Sequence, residues 1–276
     1  MMIRSRFTPL LAAWAISLSL FSPAAAQVLL NDASDVVKVT LLPGWRGDNG
    51  THFAGLKFAL APGWKTYWRA PGDGGIPTRL DWSDSSNLDS VDVQWPIPEV
   101  FRQNGLRSIG YRGEFILPLA IQATASGSPI IIDGRLDFGV CEEVCLPVSV
   151  DLYMSLPTYQ RTPVVEIAAA LRDHPMTAAQ ALVRRVECRI SYGEGRARVD
   201  VEIDMPALDG QGEAMVIEAP NPKLWIGEPF VARDGDTLRA TAEMASSSGT
   251  PFRLKLEKLR ISIITTQSAV DIRGCP

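Results

Sequence analysis

The chain has little histidine and no cluster of basic residues. Among its 276 residues are only two histidines, His52 and His174, and it carries 31 acidic against 27 basic residues. The two histidines fall in different predicted domains with no third ligand beside them, so they do not indicate a metal site. The methionines are scattered, which argues against a copper site built from them. The absence of a basic patch argues against nucleic acid as a partner.

Long apolar runs are also missing after the first 26 residues. The longest candidate, around residues 130–132, is interrupted by charge, glycine or proline within a few residues. A spanning helix needs roughly 20 consecutive apolar residues. We therefore expect that the chain does not span a membrane once its N-terminal signal has been removed.

The N-terminus has the pattern of an export signal. Arg4 and Arg6 precede a short apolar core at residues 10–21, and three alanines end it with side chains that fit a signal-peptidase site. The core is too short to be a membrane anchor. The first 26 residues are thus predicted to be a signal peptide that is cleaved after Ala26, leaving Gln27 at the mature N-terminus. Removing two of the 27 basic residues and none of the 31 acidic ones gives the mature chain a net charge of −6.

Short strand-like runs separated by turn residues fill the rest of the chain. They recur roughly every 12 residues with Gly, Pro, Asn and Asp between them, a pattern typical of a β-sandwich. The predicted strands are 36–42, 53–60, 64–69, 78–82, 91–96, 114–122, 130–138 and 148–156, then 186–192, 197–203, 214–218, 225–232, 237–244, 252–257, 260–265 and 269–273.

The strand pattern is interrupted once, near the middle of the chain. A polar, proline-ended stretch is followed by two Ala-rich runs with helical spacing, 164–172 and 177–185. We therefore predict a β-sandwich domain over 27–157, a linker with short helices over 158–185, and a second β-sandwich over 186–276. A single long sandwich is the alternative.

Four cysteines in an exported protein meet an oxidising environment, and they allow two disulfides in three pairings. Cys141 and Cys145 stand between two strand-like runs with three residues between them. In a short hairpin such residues face each other at a distance that a disulfide tolerates. A loop this small stabilises a fold little, and no second pair of ligands supports a zinc site. From spacing alone, a redox pair and a structural disulfide are about equally supported.

The two glutamates between these cysteines bear on their chemistry. Glu142 and Glu143 place negative charge beside the thiols, which disfavours the thiolate. The pair therefore resembles a relay that waits for an activated partner thiol more than a strong oxidant.

Of the remaining cysteines, Cys188 lies in the first strand of the second predicted sandwich, and Cys275 is the next-to-last residue of the sequence. A disulfide between them would close a long loop, for which the entropic gain is large. We predict a structural disulfide here, with a reactive terminal thiol as the alternative.

An aromatic-rich stretch, Trp64, Tyr67 and Trp68, precedes a glycine-rich one at 72–75. The favoured interpretation of the aromatic residues is sandwich core. The alternative is a group that shields the disulfide or contacts a partner. The glycines mark a tight turn or loop, and they lack the strand-to-helix setting that phosphate-binding loops need.

Several motifs occur in an order that resembles a known family. They are residues 62–78 (PGWKTYWRAPGDGGIPT), 110–114 (GYRGE), 138–141 (FGVC) and 145–147 (CLP). Together they resemble the periplasmic thiol:disulfide interchange family of the DsbD N-terminal domain and the ScsB N-terminal region. The resemblance spans most of 36–156.

The resemblance implies a periplasmic, immunoglobulin-like domain whose cysteine pair passes electrons between thioredoxin-like partners. By position, Cys145 would form the mixed disulfide and Cys141 would resolve it. The membrane and thioredoxin-like domains that follow this region in DsbD and ScsB are not found here, so the electron donor is expected to be a separate thioredoxin-like periplasmic protein or a membrane electron-transfer protein. No cofactor is expected.

The fold class that follows is mainly β, with two immunoglobulin-like β-sandwiches joined by a short helical segment. Two other functions remain open from the sequence. One is a non-enzymatic periplasmic interaction module in which both disulfides are structural. The other is a copper-handling protein, active in copper tolerance, that uses the Cys141 and Cys145 thiols as soft ligands.

Overall fold

Alternating burial organises the first half of the chain into strands. In the strand that ends this half, the side chains of Val148, Leu152 and Leu156 are buried while their neighbours face outward, as the two-residue period of a strand requires. The computed structural model describes residues 33–275, so the predicted signal peptide and its cleavage site lie outside the described residues. The strands of this half are β1 (Val37–Arg46), β2 (His52–Leu60), β3 (Lys65–Tyr67), β4 (Arg79–Asp81), β5 (Leu88–Val93), β6 (Glu99–Gln103), β7 (Leu106–Arg112), β8 (Glu114–Ala123), β9 (Ile130–Cys141) and β10 (Cys145–Leu156).

These ten strands form two antiparallel sheets, which we call the N-terminal sandwich. The first sheet has the order β1-β2-β8-β5, and the second has the order β10-β9-β3-β7-β6 with β4 also paired to β9. Apolar side chains from both sheets form one core, among them Leu56, Leu117, Leu119, Ile121, Ile130, Ile132, Leu136 and Val140. The short strand β3 lies inside the second sheet, between β7 and β9.

One short helix, α1 (Val165–Ala170), lies between the two halves. It is held in place by Ile167, whose fully buried side chain packs over Gly55 of β2. The second predicted helix, 177–185, is wrong. Met176 and Thr177 instead pair in parallel with the last strand of the chain, and Leu182 adopts a positive φ of 54° that a right-handed helix cannot contain. Tertiary pairing thus outweighs the helical propensity of the alanines.

The second half forms the C-terminal sandwich. Its strands are β11 (Met176–Thr177), β12 (Arg185–Tyr192), β13 (Arg196–Asp204), β14 (Ala214–Glu218), β15 (Leu224–Ile226), β16 (Phe230–Asp234), β17 (Thr237–Ser246), β18 (Arg260–Ile264) and β19 (Ala269–Arg273). They form one sheet of order β11-β19-β18-β14 and another of order β12-β13-β17-β15, with β16 also paired to β17. The predicted strand at 252–257 is wrong, because this stretch is irregular and leads into a 3-10 turn at Leu256–Lys258.

The two sandwiches meet through a shared apolar cluster. Trp68, Ile109 and Tyr111 from the N-terminal sandwich pack with Val216, Ile264 and Ala269 from the C-terminal sandwich. All described residues belong to one compact unit. The expected fold class, mainly β with two sandwiches joined by a short helical segment, is confirmed, while the division into separate domains stays a prediction. Within residues 33–275, no helix has the length and apolar character needed to cross a membrane.

A buried ionic network accompanies this cluster. The Arg69 guanidinium lies over the Trp68 ring, 3.6 Å from its centroid, and hydrogen-bonds both carboxylate oxygens of Glu218 at 3.2 and 3.0 Å. It also lies 3.5 Å from Asp271, which Arg260 binds through two nitrogens. These pairs join strands that are distant in sequence and fix the position of the chain just before residues 71–77.

Candidate redox site

The site is built on the hairpin that β9 and β10 form. Cys141 ends β9, Cys145 begins β10, and the two are direct partners in the antiparallel register. Their Cα atoms are 4.1 Å apart and their sulfurs are bonded. The three intervening residues form a tight connection in which the Glu142 amide donates to the Val144 carbonyl at 3.2 Å. The predicted placement of this pair on a hairpin is confirmed.

The two cysteines of this disulfide differ in exposure. Cys141 is 1% exposed, because β9 continues inward between β10 and β3. Cys145 is on the exposed side of β10. Exchange requires a thiolate to reach one sulfur, so an incoming protein thiol has access to Cys145 and not to Cys141.

Tyr67 is the side chain in hydrogen-bonding contact with the disulfide. Its hydroxyl lies 2.7 Å from the Cys141 sulfur and 3.6 Å from the Cys145 sulfur. Strand β3 places it there, since the Cα partners of Lys65 and Thr66 in β9 are Cys141 and Val140. Burial raises the pKa of Tyr67 above its ordinary value. The phenol therefore keeps its proton at neutral pH and acts as a hydrogen-bond donor to sulfur.

The loop at residues 71–77 lies close against β9 beside the disulfide. The Gly74 carbonyl oxygen is 3.3 Å from the Tyr67 hydroxyl. A Cβ on Gly139 would lie 2.6 Å from the Cβ of Ile76. The glycine at 139 is therefore required for this close approach, and the loop contacts both the tyrosine and the cysteine strand.

A second hairpin, formed by β6 and β7, flanks the other side of the cysteine loop. Gln103 donates from Nε2 to the Glu142 carbonyl at 3.1 Å and accepts from Lys65 Nζ at 2.8 Å. The predicted strands omitted this hairpin. Its signal was available in the sequence, because the turn is Asn104-Gly105 with φ of 53° and 78°, the dipeptide that two-residue hairpin turns favour.

The other aromatic candidates lie away from the sulfurs. Trp64 is 7% exposed in the core of the N-terminal sandwich, and Trp68 is fully buried in the cluster between the sandwiches. Both side chains pack in apolar clusters, and the alternative role in shielding or partner contact stays a prediction. Among the three candidates, the structure brings Tyr67 alone to the disulfide. Glu142 and Glu143 are exposed beside it.

The second cysteine pair is far from the first in the fold. Cys188 of β12 and Cys275, which follows β19, are bonded across a sequence separation of 87 residues, with their Cα atoms 6.0 Å apart. The bond connects the two sheets of the C-terminal sandwich, and Cys275 is 1% exposed. Nothing in the described residues links this pair to the Cys141–Cys145 site.

The histidines are not brought together. His52 is a fully buried residue of β2, and its Nε2 lies 2.6 Å from the Pro43 carbonyl oxygen. Burial lowers the pKa of His52. His174 is an exposed residue of the segment between the sandwiches. Over residues 33–275, no three His, Cys, Asp or Glu side chains are grouped as a metal site would require.

Comparison with known proteins identifies a family that matches the part of the chain carrying this site. Residues 35–157 match the family described as thiol:disulfide interchange protein DsbD, N-terminal. The structure is similar to the N-terminal periplasmic domain of ScsB from Proteus mirabilis, with a TM-score of 0.67 and 21% sequence identity over 87% of this chain and 93% of that chain. This likeness extends over both sandwiches and shows a shared fold.

A second solved structure overlaps less well. It is the reduced form of the DsbD N-terminal domain from Neisseria meningitidis, with a TM-score of 0.29 and 19% identity over 48% of this chain and 96% of that chain. No curated protein matches the sequence.

Proposed function

Because residues 35–157 belong to the family of the DsbD N-terminal domain, we propose that this chain relays electrons to or from thioredoxin-like partners through Cys141 and Cys145. The observation that carries the proposal is the asymmetry of the disulfide. Cys145 is an exposed residue, Cys141 is a buried one, and the Cys141 sulfur accepts a hydrogen bond from Tyr67. A structural disulfide at a hairpin end has no need of such a donor.

Reduction of the disulfide would proceed in two balanced steps. A partner thiolate attacks the Cys145 sulfur, the Cys141–Cys145 bond breaks, and Cys141 leaves as a thiolate that takes a proton. The thiolate of the partner's second cysteine then attacks the sulfur of the partner's first cysteine, which is bonded to Cys145. Cys145 is released as a thiolate. Two electrons pass from the partner's dithiol, which becomes a disulfide, to this chain.

Electron transfer onward is the reverse sequence. The Cys145 thiolate attacks the disulfide of an oxidised partner, and one sulfur of that partner leaves. The Cys141 thiolate then attacks the Cys145 sulfur and releases the reduced partner. Cys145 is thus the residue that forms mixed disulfides in both directions, and Cys141 is the resolving residue.

Tyr67 assists the step in which Cys141 departs. A thiolate that forms at a position 1% exposed loses most of its hydration, which costs free energy unless a donor replaces the water. The Tyr67 hydroxyl is already 2.7 Å from that sulfur. Hydrogen bonds to charged groups are worth about 1.5–3 kcal/mol, which corresponds to roughly a tenfold or larger effect on the rate.

The proposal is tested by trapping the mixed disulfide. The probe is a thioredoxin that lacks its resolving cysteine and carries a thionitrobenzoate leaving group on its reactive cysteine. A Cys141→Ala variant should form a covalent complex with it through Cys145, while a Cys145→Ala variant should form little, because Cys141 is buried. In denaturant both variants should react alike, which controls for intrinsic thiol reactivity.

Two outcomes would contradict the relay. One is failure of both native variants to trap thioredoxin while a small thiol reagent still modifies Cys145. The other is a wild-type disulfide that reduced thioredoxin cannot open without denaturant. The pair would then be structural, and the chain an interaction module.

We also propose that the relay operates in the periplasm. The solved ScsB relative is described as a periplasmic domain, and the N-terminal sequence of this chain has the composition of a secretory signal. N-terminal sequencing of exported protein should begin at Gln27. A sequence that begins at Met1 would contradict export by cleavage.

A further inference from the structure

Exposed apolar side chains lie on three segments near the disulfide. Val144 of the cysteine loop is 64% exposed and Leu106, at the tip of the β6–β7 hairpin, is 54% exposed. Trp225 of β15 is 52% exposed and comes from the C-terminal sandwich. An exposed tryptophan has the largest apolar surface of any side chain, and it is enriched among the residues that dominate protein–protein binding.

Trp225 is held in a defined position next to the redox loop. Its indole nitrogen donates to Asp73 Oδ1 at 3.3 Å, and a Cβ on Gly227 would lie 2.8 Å from the far edge of its ring. Asp73 is followed by Gly74, whose carbonyl lies beside the Tyr67 hydroxyl. A side chain fixed in this way loses little conformational entropy when a partner covers it.

The distance from Trp225 to the reactive sulfur is short enough for one partner to cover both. The indole and the Cys145 sulfur are linked through Asp73, Gly74 and the Tyr67 hydroxyl, a path that places them at most about 20 Å apart with one Cα step of 3.8 Å. A standard interface covers about 800 Å² on each partner, a disc of roughly 16 Å radius. Such a disc is about 32 Å across, so one partner can cover both Cys145 and Trp225.

A groove continues this surface across the junction of the sandwiches. It has a volume of about 450 Å³ and lies between the loop at 71–77 and β15, lined by Pro71 and Pro77 on one side and by Pro222, Leu224, Trp225 and Pro229 on the other. Side chains from both sandwiches thus form one surface beside the disulfide.

We propose that a thioredoxin-like partner docks across both sandwiches, with Trp225 as the anchor that the C-terminal sandwich contributes. This inference rests on the proposed function, and the chemistry of exchange identifies the occupant. A partner sulfur must come into bonding contact with the Cys145 sulfur, so a thiol-bearing protein has to cover the rim formed by Val144, Leu106 and Trp225. The C-terminal sandwich then determines which partners are served, while the N-terminal sandwich carries the chemistry.

The test compares a protein reductant with a small one. Second-order rate constants are measured for reduction of the wild-type Cys141–Cys145 disulfide and its variants by reduced thioredoxin and by dithiothreitol. The Trp225→Ala variant should react with thioredoxin about tenfold more slowly or worse, and with dithiothreitol within twofold of wild type. Asp73→Asn keeps an acceptor oxygen for the indole and should retain the thioredoxin rate, whereas Asp73→Ala should lose part of it.

Tyr153→Ala is the matched control. This tyrosine is 73% exposed and lies on β10, eight residues from Cys145, or roughly 26 Å at 3.3 Å per residue. Its rates with both reductants should equal those of wild type.

Three other results would overturn the docking proposal, and each has a different meaning for the proposed function. A Trp225→Ala variant that thioredoxin reduces as fast as wild type removes Trp225 from the footprint and leaves the proposed function intact. An equal loss with thioredoxin and dithiothreitol shows that Trp225 acts on the disulfide through the loop and not on the partner. If dithiothreitol reduces the wild-type disulfide but thioredoxin does not, the proposed function is contradicted. The proposed docking surface is then contradicted as well.

Discussion

The Tyr67 hydroxyl lies 2.7 Å from the Cys141 sulfur, although the two residues are 74 positions apart in sequence. The contact exists because β3 and β9 are neighbours in one sheet, so a phenol from one strand reaches the sulfur at the end of the other. It gives the buried cysteine a neutral hydrogen-bond donor, which can stabilise a thiolate without bringing in a second charge.

The first prediction concerns this contact. Tyr67→Phe should slow reduction of the disulfide by thioredoxin by roughly tenfold, since a charge-assisted hydrogen bond is worth about 1.5–3 kcal/mol. In the reduced protein it should also lower the thiolate fraction of Cys141 at a given pH, measured by the pH dependence of alkylation in a Cys145→Ala background. Tyr111→Phe is the control, because its buried hydroxyl donates to the Pro96 carbonyl and not to sulfur. Equal rates for Tyr67→Phe and wild type would remove Tyr67 from the mechanism.

A second prediction separates the roles of the two disulfides. Replacing both Cys188 and Cys275 by alanine should lower the free energy of unfolding by about 4.6 kcal/mol, the value expected for a loop of this length. Replacing both Cys141 and Cys145 should cost much less, because that loop is short. Urea titration measures both losses. Exchange at Cys141–Cys145 should persist in the Cys188/Cys275 variant under conditions where it is folded. Loss of exchange there would show that the two pairs are coupled.

The close approach of Gly139 and Ile76 yields a third prediction. Gly139→Ala should destabilise the protein by about 1–3 kcal/mol, because the new methyl overlaps the side chain of Ile76. Adding Ile76→Gly removes the Cβ at 2.6 Å and should recover part of the loss, so the two substitutions should show a favourable coupling energy in a double-mutant cycle. If the losses of the two single substitutions simply add in the double variant, the loop at 71–77 lies further from β9 than in the structure.

The fourth prediction is a pH dependence at the junction of the sandwiches. Burial acts to raise the pKa of Asp271, but its hydrogen bonds to Arg260 and the charges of Arg260, Arg69 and Arg273 outweigh burial and hold that pKa below its ordinary value. The unfolded state therefore binds a proton more readily than the folded state. The stabilisation is present above the unfolded pKa of about 3.9 and is lost as the pH falls through the lower folded pKa.

Asp271→Asn should remove this part of the acid sensitivity. Free energies of unfolding measured by urea titration from about pH 6 to about pH 3 should fall less steeply for the variant than for wild type. Asp133→Asn, at an exposed position of β9, should keep the wild-type slope. An unchanged slope for Asp271→Asn would mean that its ion pairs do not stabilise the folded state.

Much of the site was predictable because it is local in sequence. Residues 141 and 145 are joined by a three-residue connection, so the hairpin alone makes them cross-strand partners. The hairpin β6–β7 is equally local, and its Asn104-Gly105 turn could have been recognised. The second predicted helix failed for the opposite reason, since the pairing of Met176 and Thr177 with β19 joins segments almost a hundred residues apart.

The sequence alone was enough to recognise the two-residue alternation of the strands, the hairpin that pairs Cys141 with Cys145, and the motifs within residues 35–157 that match the DsbD N-terminal family. The sequence could not show which of three nearby aromatic residues contacts the disulfide, because that contact depends on the folded structure. Trp64, Tyr67 and Trp68 are all buried, and burial satisfies the hydrophobic effect equally well in a core, at a sandwich junction or against a disulfide. A hydrogen bond, unlike burial, depends on distance and direction. The neighbours that place Tyr67 beside sulfur and Trp225 beside Asp73 come from strands that meet only when the chain is folded.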